Sequence, residues 1–426
     1  MPSRIDDGRD DMMNDFENIR VQFPGLRRDV AYLDNAATTQ IHQSAIDAMH
    51  AYRLGGRSNV GRGLYPLAGE TIQQYDDARS NVAHFVGADS ERCVFTKSVT
   101  EGLNMIAFGL RDRLQPGDEI LLSPFEHHAN ILPWRRIAKE RGVIVKTMPM
   151  LADFTLDLDG AIAMMDSRTR IVAMTMMSNV LGTVLPIADF TRAVRTLPLP
   201  RGSKEGFAPI IIVDAAQAAA HLPINIADLG ADALVFGSHK CYGPAGIAAM
   251  ILSPSLIDSL EPMIVGGGMV DSITADDAVW KAGVEKFEGG SPNVESAIGF
   301  AAAAKWIQGQ HHSQWCHPRE YGDPVNVLRR RLITDLRSIP DVTVFDPPGA
   351  VGIVSFMIDG MHPHDIADML GQRGVCVRAG NHCAVPLVEK LSSYGTLRAS
   401  LAMYNDAQDV EALVSNLKVI VKKLKV

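Results

Sequence analysis

Cysteine is scarce in this chain, with five among 426 residues, at Cys93, Cys241, Cys316, Cys376 and Cys383. Odd in number and unclustered, they make no disulfide framework and fit a reducing cytoplasm. An excess of basic residues is also missing. The 41 Lys and Arg stand against 49 Asp and Glu, a net charge of -8, so the phosphate-neutralising surface of a nucleic-acid binder is not expected. No apolar run approaches the ~20 residues of a membrane span, and no membrane partner is expected. The opening "MPSRIDDGRDDMMNDFENIR" lacks the apolar core of a signal peptide, and residues 1 to 15, acidic and polar, are expected to be disordered. Neither a GxGxxG nor a Walker lysine occurs, and there is no internal repeat. "HHSQWCHPRE" gathers His311, His312, Cys316 and His317 in a spacing that matches no zinc pattern. No metal is expected, and that stretch reads as a solvated loop or helix end.

What is present is ordinary globular composition, 46% hydrophobic and 21% charged, in a chain long enough for roughly two to three domains. Between about residues 90 and 253, seven β-rich runs alternate with helical patterns: "CVFT", "EILLS", "VIVKTMPM", "RIVAMTMMS", "PIIIVDAA", "ADALVFGS" and "GIAAMILS". Such alternation predicts an α/β domain, a mostly parallel sheet covered by helices. "ETIQQYDDARSNVAHFVG" spaces Ile72, Tyr75, Val82 and Val86 for one helix face, with Gly87 as its stop. After about residue 300 the pattern changes to a smaller α+β domain. "VTVFD" and "GIVSFMID" read there as strands, and "HDIADMLGQRG" and "AQDVEALVSNLKVIVKKL" as amphipathic helices.

In open α/β sheets ligands bind at the carboxyl ends of the strands. In this chain His127 follows "EILLSPFE", Asn179 closes "RIVAMTMMSN", Asp214 closes "PIIIVD" and Lys240 follows "ADALVFGSH". Singly these are unspecific, since an Asp at a strand end also caps helices and a Lys there is also a solvated head group. As a set they suit pyridoxal phosphate. That cofactor needs a lysine to hold it as a Schiff base, a carboxylate for its ring nitrogen, a flat partner for its ring and a phosphate cup. "VFTKSVTEGLNM" offers the cup: a strand, then Ser98 and Thr100 at the start of a helix.

The chain resembles the fold-type I pyridoxal-phosphate enzymes of the class V aminotransferase superfamily, and within them the cysteine desulfurase/selenocysteine lyase family of Suf type, group II. The likeness runs from "FPGLRRDVAYLDNAATT" to "YGTLRASLAMYN", through "EHHANILPW", "SNVLGT", "VDAAQAAAH", "SHKCYGPAGI", "GGSPN" and "RAGNHCAVPL". It implies a seven-stranded, mostly parallel large domain over 31 to 300 and a small domain over 301 to 426 carrying a cysteine loop. Residues 16 to 30 would pack with the small domain. By the same resemblance Lys240 holds the cofactor, Asp214 pairs with its ring nitrogen, His127 stacks on the ring and Gln217 bonds its phenolic oxygen. Thr100, His239 and the backbone at Ser98 and Val99 hold the phosphate, joined by Ser291 from the partner of a homodimer. Arg398, helped by Asn179, takes the substrate carboxylate.

Five positions depart from that family. Ser98-Val99 stands for Gly-Thr and Gly237 for Ser, removing two phosphate hydroxyls, with Ser98 and Ser238 one residue away to replace them. Gly61 and Asn381 stand where histidine, or at the second position histidine or glutamine, is common. The implied reaction takes L-cysteine to L-alanine and leaves a persulfide on Cys383, which passes to a sulfur-acceptor protein for iron-sulfur cluster or other sulfur-containing cofactor assembly. Selenocysteine lyase or cysteine-sulfinate desulfinase activity would use the same residues, whereas an aminotransferase or epimerase of the superfamily needs no such cysteine. Cys376, in the apolar run "GVCVRAG", reads as the buried structural thiol. Arg378 and His382 are close enough in sequence to Cys383 to lend it positive charge.

Overall fold

The computed structural model describes residues 19–61, 63–196, 208–312 and 324–424. The expected disorder of residues 1 to 15 and the side chains of His311, His312, Cys316 and His317 lie outside the described residues.

All seven runs form strands of one sheet: β1 (Cys93–Thr96), β2 (Glu119–Leu122), β3 (Ile144–Thr147), β4 (Thr169–Thr175), β5 (Ile210–Asp214), β6 (Ala233–Gly237) and β7 (Ala248–Leu252). Their order across the sheet is β1-β7-β6-β5-β4-β2-β3. Every pairing is parallel except the two made by β7, which runs antiparallel between β1 and β6. The continuous apolar runs follow from burial on both faces. Ile211, Val213, Leu234 and Phe236 belong to one core, while Ile212, Ala233 and Val235 belong to the other. The second core is closed by α3 (Val99–Leu110) and α4 (Leu132–Arg141) through Leu103, Ile106, Trp134 and Ile137. Gly102 lets α3 come down on the sheet, for a Cβ there would lie 2.9 Å from Val235 Cγ1. That close approach sets where the N-terminus of α3 points.

On the opposite face α1 (Gln43–Leu54) and α2 (Pro66–His84) pack against α5 (Val294–His312), whose Ala297, Ala301 and Ala304 permit tight crossing. The helix expected over 70 to 87 is therefore α2, opened earlier by Pro66 at its first turn. Tyr75, Val82 and Val86 are buried and Ile72 is half-buried, and Gly87 takes the left-handed conformation (φ 69°) just beyond the helix.

A second, four-stranded antiparallel sheet joins β8 (Val342–Phe345), β9 (Ile353–Ile358), β10 (Arg378–Gly380) and β11 (Thr396–Ser400) in the order β8-β9-β11-β10. Helices α6 (Pro324–Arg337), α7 (Pro363–Gly371) and α8 (Ala407–Leu424) cover it. The strands β10 and β11 were not legible in advance because they are short and carry arginines. Arg378 and Arg398 sit directly opposite each other in the ladder, a like-charge pairing that is unfavourable unless an anion intervenes. From the N-terminal side, Phe23 meets the rings of Tyr404, Tyr242 and Trp306 edge-on, and Arg20 pairs with Asp409 at 2.9 Å. Among the described residues no helix is long and apolar enough to cross a membrane, and no cluster of His, Cys, Asp or Glu is arranged for a metal.

Candidate functional site

The carboxyl ends of β2, β4, β5 and β6 open on one cavity, and the small sheet supplies its outer wall. Ser98, Val99, Thr100, His127, Asn179, Asp214, Gln217, His239, Lys240, Cys383 and Arg398 all line it. Of the expected site residues only Ser291 is elsewhere. It lies beside a separate hollow with Lys97, Glu101, Gly246 and Glu288. Its loop is anchored there by Glu288, whose carboxylate takes Arg79, the Tyr75 hydroxyl and the Phe95 N–H.

At the floor, Asp214 is buried and accepts the Ala216 N–H on Oδ1 at 2.9 Å. Burial pushes its carboxyl up, opposed by that N–H and by Lys240. Lys240 sits on the short 3-10 turn Ser238–Lys240 that ends β6. Burial pushes its ammonium down to about 8, Asp214 pulls it up and Arg398 pushes it down further. The amine is therefore far more available at neutral pH than an ordinary lysine, as a Schiff-base nucleophile must be.

His127 caps the turn after β2. Its Nδ1 accepts the Ala129 N–H at 3.1 Å, which leaves the ring proton on Nε2. Burial, with Lys240 next, holds this histidine down to about 4, and His239 is held to about 4 for the same two reasons. Both rings are neutral at physiological pH. Gln217 spends one amide proton on the Ala36 carbonyl at 2.7 Å.

The start of α3 is a variant of the capping box in which Glu101 reaches the N–H one residue before the N-cap Ser98. Ser98 Oγ accepts the Glu101 N–H at 3.1 Å, and Glu101 accepts the Lys97 N–H at 2.6 Å. The N–H groups of Val99 and Thr100 have no acceptor within the helix, so the positive end of the helix dipole faces the cavity. Ser238 does not substitute for the missing hydroxyls. It is fully buried, is no part of the cavity lining, and its Oγ has no partner. A Cβ added at Gly237 would lie 3.2 Å from Val99 Cγ2, so a larger residue there would need the Val99 side chain to give by a few tenths of an ångström.

Arg398 is the most deeply buried cation of the cavity, 2% exposed. It donates from Nη1 to the Asn179 carbonyl at 2.8 Å and from Nη2 to Asp34 at 3.0 Å. Asp34 also receives Arg378 at 3.1 Å, so one carboxylate neutralises the two arginines that the β10–β11 register sets face to face. Arg398 Nε and Asn179 Oδ1 are buried without partners. Burial pushes the Arg398 guanidinium down, while Asp34 and Cys383 pull it up.

Cys383 is exposed. It and His382 both take the left-handed conformation, φ 54° and 49°, which costs a non-glycine residue about 1–3 kcal/mol. The expectation that His382 lends positive charge to the sulfur is corrected. Its ring is turned into the protein, 7% exposed, with Nε2 paired to Thr396 Oγ1 at 2.9 Å. Burial, then Arg398 and Arg378, holds it down to about 3, so it is neutral. Nor is Cys376 the fully buried thiol. It is half-buried in a two-residue strand paired with Ala31–Tyr32, whereas Cys93 and Cys241 are the core cysteines. Asp34, Glu126 and His128 were not singled out from the sequence, although Asp34 lies within the quoted "YLDNAATT" and the other two flank His127.

The site fits pyridoxal phosphate on its own chemistry: a lysine whose amine is readily neutral, a buried carboxylate with one oxygen that takes no hydrogen bond among the described residues, a neutral ring, and a helix N-terminus with free N–H groups. The family described as aminotransferase class V matches residues 31–413. A probable cysteine desulfurase of Pseudomonas aeruginosa is 36% identical over 92% of this chain and 95% of its own length. The cysteine desulfurase of Haloferax volcanii is 35% identical over 94% and 95%. Among solved structures, the apo cysteine desulfurase of Thermococcus onnurineus superposes with a TM-score of 0.88 at 33% identity, covering 96% of this chain and 98% of that one. The chain belongs to the class V aminotransferase family, a class of pyridoxal-phosphate enzymes. Within that class it belongs to the cysteine desulfurases.

Proposed function

We propose that this enzyme is a cytoplasmic, homodimeric desulfurase of the Suf type, group II, which moves sulfur from L-cysteine onto Cys383 and from there to an acceptor protein for assembly of iron-sulfur clusters or another sulfur-containing cofactor. The observation that carries the reading is an exposed cysteine at the rim of a cavity that also gathers Lys240, Asp214, His127 and Arg398. Bound there, pyridoxal phosphate supplies an electron sink for the α-carbon of an amino acid. Lys240 would hold the cofactor covalently and move the substrate α-proton. Asp214 would keep the ring nitrogen protonated, His127 would serve as the flat partner of the ring, and Gln217 has a second amide proton left for the phenolic oxygen. Thr100, His239 and the N–H groups at Ser98 and Val99 would take the phosphate. Arg398 Nε would donate to the substrate carboxylate, satisfying a donor that otherwise stays buried and unpaired, and Asn179 would help through the second proton of its Nδ2.

The Cys383 thiolate attacks the substrate sulfur. The new S–S bond forms as the substrate Cβ–S bond breaks, its electron pair goes to carbon, and protonation of that carbon gives alanine. The sulfur then leaves Cys383 for a nucleophile on the acceptor.

Supplying L-cysteine and L-selenocysteine separately, with alanine and Cys383-bound sulfur measured together, tests the reading. The expected result is equal amounts of alanine and persulfide in the first turnover with L-cysteine. Alanine from L-selenocysteine alone would make the enzyme a lyase instead.

Ser291 is proposed to reach the phosphate of the partner subunit, which accords with its distance from this chain's own cavity. Ser291→Ala is expected to weaken cofactor retention by ~1–3 kcal/mol, the worth of a hydrogen bond to a charged group. Equilibrium dialysis measures this, and an unchanged affinity counts against the shared cup.

A further inference from the structure

We infer that His128 is a positioning residue for Cys383, holding the sulfur at the cavity while its neighbour His127 serves the cofactor; the inference rests on Cys383 being the nucleophile. The cysteine loop leaves β10 at Gly380 and places two successive non-glycine residues, His382 and Cys383, in the left-handed region. Such a pair persists only where the surroundings over-determine it. Within the loop the Ala384 N–H closes a turn on the Asn381 carbonyl at 2.8 Å. That single bond leaves the carbonyls of the two strained residues to be held from outside.

Both are held from the large sheet's side. Asn179 Nδ2 donates to the His382 carbonyl at 2.7 Å. The His128 backbone N–H donates to the Cys383 carbonyl at 2.7 Å. His128 then grips the loop a second time, because its ring Nε2 accepts the Val385 N–H at 3.2 Å. Main chain and side chain of one residue thus clasp the loop on either side of Ala384. Acceptance at Nε2 requires the neutral ring with its proton on Nδ1, and burial followed by Arg135 pushes this histidine down from its ordinary value.

The clasp has a stiff base. The turn His128–Asn130 is pinned by Glu126, a buried carboxylate that receives the Thr175 N–H at 2.5 Å, Asn130 Nδ2 at 2.7 Å and the Ser123 hydroxyl. Asn130 in turn accepts the Trp134 indole N–H at 3.1 Å. Consecutive residues on this one turn therefore face the two reaction partners. His127 lines the cofactor cavity and His128 fixes the backbone that carries the attacking sulfur. No other residue reaches the loop at two points among the hydrogen bonds of the described residues.

The test compares His128→Leu, which keeps bulk and loses the acceptor, with His128→Gln, whose side-chain carbonyl can take the Val385 N–H. The Leu variant is expected to keep its cofactor absorbance and its KM for L-cysteine, and to lose roughly 10-fold in kcat, as a misplaced reacting group does. The Gln variant is expected to recover most of that loss. Hydrogen exchange of the peptide spanning residues 381 to 388 in the wild-type protein gives a readout that survives a Leu variant that fails to fold. Protection of the Val385 amide that is lost in His128→Asn supports the clasp; an unprotected Val385 amide in the wild-type protein overturns it. A wild-type kcat in His128→Leu, or equal losses in Leu and Gln, also overturns it. Cys383→Ala, run alongside, separates the two ideas. If that variant is inactive while His128→Leu is not, only this inference fails; if it is active, the nucleophile assignment fails first.

Discussion

Cys383→Ala is expected to abolish persulfide formation from L-cysteine while the purified protein keeps its visible cofactor absorbance. The fall in alanine production should be on the order of 10³-fold or more, the scale seen when a covalent nucleophile is removed. The substitution is a clean one. Alanine retains the Cβ, so the left-handed strain at φ 54° is unchanged, and the loop's external bonds go to backbone atoms of residues 382, 383 and 385 and to the His382 ring, none of them to the Cys383 side chain. Nothing at Cys383 touches Lys240 or Asp214 in the hydrogen-bond network, so cofactor capture should be intact. Single-turnover mass spectrometry measures the persulfide directly, and absorbance reports the cofactor. Full desulfurase activity in Cys383→Ala would place the nucleophile elsewhere. L-selenocysteine is a useful companion substrate, since the weaker carbon–selenium bond can break without the attacking thiolate and some turnover should survive.

Lys240→Ala is expected to remove covalent cofactor binding and all turnover. Borohydride reduction of the wild-type protein should fix the label on the peptide containing Lys240, and label on any other lysine would sink the assignment. The same residue carries a pH prediction. In cofactor-free protein only the neutral amine captures the aldehyde. With its ammonium pushed down from 10.5 to about 8, the capture rate should rise as pH increases and reach half its maximum near pH 8, rather than climbing on toward 10.5. Asp214 is the group that pulls Lys240 up, so Asp214→Asn should move the midpoint to lower pH. Stopped-flow absorbance over pH 6 to 10 reads both.

The strand ends explain why so much of this site could be named beforehand. A parallel strand buried on both faces must be apolar throughout, so the polar residues just past it stand out, as Asp214 does after "IIIV" and Ser238, His239 and Lys240 do after "LVFG". The roles beyond the strand ends were less visible. Asp34 had no local signal of its own, because its task is set by two arginines that are 20 residues apart in sequence and opposed in the β10–β11 ladder. The orientation of His382 is hidden in the sequence for the reverse reason. Adjacency to Cys383 suggested a charge beside the sulfur, whereas a left-handed backbone at both residues sends the histidine inward and the cysteine outward.

By itself the sequence determined the seven large-sheet strands, their helices and the set of residue types that suits pyridoxal phosphate, since each depends on local period and on strand-end chemistry. The tertiary structure decided which groups are charged and which atoms are left to bind. Burial neutralises His127, His239 and His382 and brings Lys240 within reach of neutral pH. Packing of the small sheet against the large one leaves Arg398 Nε and Asn179 Oδ1 unpaired and sets His128 under the cysteine loop. These are desolvation and long-range contact effects, which arise only when segments distant in the chain share one low-dielectric space.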